Sequence, residues 1–154
     1  MMNDEAIWSE LSGYDTSGLT IFKDLSRLVS GQLNEDECSE LLLDLIRENQ
    51  PSTAGYAALP YLLNDCRAVS AKTRFEMLHA ACMILGLASE PGSPEIPPNL
   101  AHHFHSAENR TALRKLFKAA SEVDLSDDDI ACVASVALLL KGDRELYGKI
   151  IERL

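Results

Sequence analysis

Basic residues are scarce where this chain begins. Residues 1–50 hold eleven acids against three bases, a net of −8, out of a total of −10 over 154 residues. A chain poor in clustered Lys and Arg is a poor collector of phosphates, so the composition argues against nucleic acid and against an anionic membrane surface as partners. Long hydrophobic runs are missing as well. The longest apolar stretch, Ile130 to Leu140, is interrupted by Ser135 and is too short to span a bilayer. The opening MMNDEAIWSEL has neither the basic leader nor the apolar centre of a secretory signal, which sets the expectation of a cytoplasmic protein. Aromatic residues make up 6%, with Trp8 the sole tryptophan. The four cysteines, Cys38, Cys66, Cys82 and Cys132, form no CxxC pair. Each falls in an apolar helical pattern, as small buried hydrophobes of a reducing compartment do.

What is present is ordinary for one globular domain over residues 1–154: 46% hydrophobic and 25% charged residues. The apolar spacing reads as helix after helix, with no convincing alternating strand. The expected helices run from Asp4 to Leu11 after the cap Asn3, and from Gly18 to Ser30. A third follows the capping box of Asn34 with Glu37 and buries Cys38, Leu41, Leu42, Leu45 and Ile46. A fourth is expected from Thr53 to Ala68, and a fifth, capped by Ser70, from Ala71 to Ala88. Four of the six prolines fall in Ser89–Asn99, the clearest loop. The region Leu100 to Glu122 changes apolar phase and predicts a break near Ser106. Ser126 with Asp129 opens a helix to Lys141, and Asp143 caps the last, which turns Leu146, Ile150 and Ile151 to the core.

About eight helices with short links favour successive antiparallel hairpins. The fifth and seventh are apolar around most of their circumference and need neighbours on several sides. The expected fold class is all-α, a short α-solenoid of about four stacked helical hairpins.

Pro60 sits inside TAGYAALPYLLND, where proline costs an α-helix about 3 kcal/mol. The alternative is a helix that starts at Leu59, where proline is welcome in the first turn. The passage Leu59 to Leu87 resembles a HEAT repeat through Pro60, Asp65, Arg74 and the run Ala80, Ala81 and Leu85, with a weaker echo in IACVASVALLLKGDRELYGKIIERL. The resemblance implies a first helix bent at its proline and an Asp and Arg that link neighbouring repeats. YAALPYLL and LLLKGDRELY are similar to small bacterial HEAT-like proteins, some of which are thought to act as immunity partners of toxins.

Asp36, Glu40, Asp44 and Glu48 recur every four residues and predict an acidic ridge on the third helix. With Glu76 and His79 of the fifth helix they form the candidate protein-binding surface, suited to a basic protein partner. His102 and His105, with Glu108 one turn on, are the ligand types of a transition-metal site, but no HExxH or His/Cys spacing accompanies them. A metal-dependent enzyme built on these three is the alternative function. His79, Cys82 and Cys66 have nucleophile and base chemistry, set against apolar positions that favour inert thiols. Arg110, Arg114 and Lys118 make a basic stripe, suited to solvent, to self-association with the acidic ridge, or to a HEAT-like DNA-lesion reader. Trp8 and Tyr14 are either partner anchors or the seal of the core's first end. The leading expectation is a non-enzymatic protein-binding module, needing no cofactor or metal, in the form of an immunity-type inhibitor.

Overall fold

Small polar side chains set where each helix starts. In the computed structural model, which describes residues 5–152, Asn34 and Ser126 close capping boxes with Glu37 and Asp129. Ser17, Ser52, Ser70 and Asp143 each accept a backbone N–H from the first turn that follows them. The expected cap Asn3 lies outside the described residues, as does the side chain of Ile151. The resulting order is α1 (Glu5–Ser9), α2 (Gly18–Val29), α3 (Glu35–Leu45), β1 (Ile46–Arg47), β2 (Gln50–Pro51), α4 (Thr53–Leu62), α5 (Ala71–Leu87), a 3-10 helix (Pro98–His103), α6 (Ser106–Ala120), α7 (Asp127–Leu140) and α8 (Arg144–Ile151). The protein is therefore mostly helical, and the predicted break falls where α6 begins, at Ser106. No described helix is long and apolar enough to cross a membrane.

Three expected helices stop early, the first of them α1, which ends at Ser9 and not at Leu11. Pro60 lies inside α4, so that helix does not start at Leu59, but it ends at Leu62 and not at Ala68. The end is held by other groups: Asn64 N–H bonds the Tyr61 carbonyl, Lys115 Nζ donates to the Leu63 carbonyl at 2.6 Å, and Arg74 Nε donates to the Cys66 carbonyl at 3.2 Å. The third helix ends at Leu45, because Ile46 turns extended and starts a two-residue antiparallel ladder, Ile46 opposite Pro51 and Arg47 opposite Gln50. Glu48 and Asn49 make its turn with φ of 51° and 59°, the left-handed pair that a tight two-residue hairpin requires.

α5 is the centre of the molecule. α3, α4, α6, α7 and both strands pack against it, which accounts for its apolar residues on nearly every side. At Gly86 the approach of α7 leaves no room for a side chain: a Cβ there would stand 2.6 Å from Leu139 Cγ. The core's N-terminal end is closed by Trp8, fully buried, with ring centroids 5.5 Å from Phe22 and 6.1 Å from Tyr61. Trp8 is thus a core residue and not a partner anchor. At the other end Leu87, Leu139 and Tyr147 form a satellite cluster, and the Tyr147 hydroxyl lies 3.3 Å from Asn49 Oδ1 in the β-turn.

Candidate functional site

The β-turn and the two helices beside it leave a groove of about 630 Å³. α3 supplies Ser39, Leu42 and Leu43 on one side. α5 forms the floor with Phe75, Ala80 and Met83, and the α6–α7 connection brings Val123 and Leu125 to the far wall. Apolar side chains line most of this surface, and Leu43 stays 58% exposed at its edge.

The rim carries opposite charges with unequal freedom. Its two long bases are already held: Arg47 pairs with Asp15 and lies over the Tyr14 ring at 5.1 Å, and Lys72 Nζ lies 3.4 Å from Glu35. The acids Glu48, Glu76, Asp124 and Asp129 make no ion pair among the described residues. Burial, with Lys72 opposing and Glu35 and Asp129 adding, raises the Glu76 carboxyl above its ordinary range. Asp129 is held below the usual carboxylate range by hydrogen bonds from the Ser126 hydroxyl and backbone.

His79 stands between these acids, its ring stacked on Phe75 at 6.2 Å. Burial lowers its pKa, while Asp129 and a hydrogen bond to the Cys132 backbone act in the opposite sense. Its Nε2 is buried with no hydrogen-bond partner among the described residues, a state that a neutral imidazole tolerates and a charged one does not.

Of the predicted surface, Glu48, Glu76 and His79 meet in the groove. Asp36 and Glu40 are exposed on the outer face of α3. Two members depart from the expected ridge. Glu48 is not on the helix at all, since α3 has ended three residues earlier. Asp44 is not on the surface: it is 5% exposed, and its carboxylate accepts the Asp15 backbone N–H and the Thr16 hydroxyl. Asp44 clamps the loop before α2, and the run of four acids is divided between a helix face, a buried clamp and a turn.

The alternative clusters fare differently. His102 belongs to the 3-10 helix, while His105 caps α6, so the two do not share a helix face. His102 packs on His103 at 3.9 Å, and among the described residues no group of three His, Cys, Asp or Glu is placed to hold a metal ion. Cys82 is fully buried, its thiol pushed up to about 12, and Cys66 Sγ donates to the Val29 carbonyl at 2.8 Å. Arg110, Arg114 and Lys118 lie exposed on α6, away from the groove, whose own rim is acidic. Tyr14 is 39% exposed and donates its hydroxyl to the Gln50 carbonyl at 2.9 Å.

Sequence spacing did not point to the apolar half of the groove, because its residues come from three separate segments: Leu42 from α3, Phe75 and Met83 from α5, and Val123 and Leu125 from the α6–α7 connection. No family model matches the chain, and comparison with curated proteins and with solved structures likewise finds no match.

Proposed function

We propose that this chain is a non-enzymatic protein-binding module, a short HEAT-like α-solenoid of the cytoplasm that covers a basic surface of a partner protein with its acidic N-terminal half. An immunity-type inhibitor masking a toxin or enzyme is the form of that reading. The repeat arrangement draws support from Pro60 inside α4, and from Asp65 and Arg74, whose partners Lys115 and Glu122 belong to the following hairpin. The binding role rests on one observation: an apolar groove rimmed by acids whose neighbouring bases are already paired. Such a surface favours an amphipathic segment that presents apolar side chains to Phe75 and Met83 and basic ones to Glu48 and Glu76.

The test is fluorescence anisotropy with a labelled amphipathic peptide of leucine and lysine. The protein is expected to bind it, more weakly as salt rises, and Glu48→Lys with Glu76→Lys is expected to weaken capture about tenfold or more. Equal capture of a leucine and glutamate peptide, or indifference to the two reversals, overturns the reading.

A further inference from the structure

α3 and α6 carry the same pattern in opposite charge. On α3 the exposed positions Asp36, Glu40 and Leu43 follow the spacing i, i+4, i+7. On α6 the exposed positions Arg110, Arg114 and Phe117 follow it too, with Lys118 beside them. This spacing sets three side chains along one face of a helix, over about 10 Å of its length. Each face ends in a large apolar side chain left in solvent, Leu43 at 58% and Phe117 at 50% exposure. None of Asp36, Glu40, Arg110, Arg114 and Lys118 has an ion-pair partner among the described residues, whereas Glu35, Glu37 and Lys115 around them are all paired. Like charges four residues apart disfavour their own helix, so each face gains from an opposite one.

We infer that the basic face of α6 on one copy of this protein docks on the acidic face of α3 on another, with the two helices parallel. In that direction Asp36 meets Arg110, Glu40 meets Arg114 and Leu43 meets Phe117. In the antiparallel direction at the same register the apolar residues land on charges, so the parallel direction is the one that pairs all three positions at once. The two faces are different parts of the chain, which makes the contact head-to-tail: a pair of copies still has one free α3 and one free α6, and assembly continues until a ring closes or the concentration runs out. One helix against one helix is less than a standard stable interface, so the association is weak, reversible and sensitive to salt. The inference rests on the reading of the acidic half as a protein-binding surface and names a second copy as its occupant.

Sedimentation velocity of the whole chain, from micromolar to near-millimolar concentration and at low and high salt, tests it. The parent is expected to shift to larger species with concentration at low salt and to return to monomer at high salt. Arg110→Glu with Arg114→Glu, and separately Asp36→Lys with Glu40→Lys, are each expected to weaken association about tenfold or more, with Asp36→Asn and Glu40→Gln as the milder pair should the lysines disturb α3. Mixing the two reversed proteins, or combining all four reversals in one chain, is expected to restore it. Phe117→Ser is expected to weaken it without changing the salt response. A parent that stays monomeric throughout overturns the inference, as does association that ignores the Arg110 and Arg114 reversals or is not restored by mixing. The leucine and lysine peptide separates the two readings. If that peptide still binds while no self-association is found, the acidic surface keeps a foreign partner and only the second copy is excluded. If neither is seen, both readings fail.

Discussion

Asp44 shows how one side chain can look like surface chemistry and act as structure. Its carboxylate holds the Asp15 N–H and the Thr16 hydroxyl, and its carbonyl accepts the Tyr14 N–H at 3.1 Å, so the loop from Gly13 to Ser17 closes around it. Asp44→Ala takes the acceptor from the Asp15 N–H and the Thr16 hydroxyl, both part-buried, and is expected to cost about 1–2 kcal/mol in urea unfolding. If that loss is absent, the carboxylate is not the clamp. His79 carries the second residue-scale prediction. Burial holds its imidazole below the ordinary 6.5, so on acidification the unfolded chain takes up the proton first. The stability that neutral His79 confers is complete above pH 6.5 and falls with acid until the folded imidazole also titrates. His79→Gln is expected to flatten the decline in unfolding free energy below that pH. His103, lowered by burial and by His102, keeps part of the slope.

At the scale of elements, the caps and most apolar faces were legible and the ends were less so; α8 turns Tyr147 inward and leaves Leu146, expected in the core, 44% exposed. Asn34, Ser70, Ser126 and Asp143 cap where their spacing to the first turn says they should, because capping is decided within four residues. The stop of α3 at Leu45 was not legible, since Leu41, Leu42, Leu45 and Ile46 continue a helical face without interruption. What stops the helix is a backbone ladder to Gln50 and Pro51 and the Ser52 N–H bonded to the Leu45 carbonyl at 2.8 Å. Glu48 bears the left-handed φ of 51° at this turn. Glu48→Gly relieves it and is expected to raise stability by about 1 kcal/mol, read as a higher thermal midpoint, with capture of the basic peptide weakened by the lost charge. A lower midpoint would show that the Glu48 side chain contributes more than its backbone costs.

At the scale of the molecule, charge is arranged as two opposed helical faces and one acid-rimmed groove, with α5 buried between them. Polar groups after α4 and at the start of α5 reach the later helices: Lys115 bonds the Leu63 carbonyl and lies 3.3 Å from Asp65, and Arg74 reaches Glu122 at 3.2 Å. Exposed pairs of this kind contribute little to stability, so they act as guides to register, while the apolar contacts of α5 hold the assembly.

By itself the sequence determined that this chain is helical, where most helices begin and which sides of them are apolar, because those properties follow from spacings of three and four residues. Only the tertiary structure decided the fate of its acids. Whether a carboxylate is a rim, a clamp or a turn depends on what stands opposite it, and for Asp44 the answer lies 29 residues away in the chain. Local periodicity carries no information about that partner, since the loop reaches it only once α2, α3 and α4 have packed.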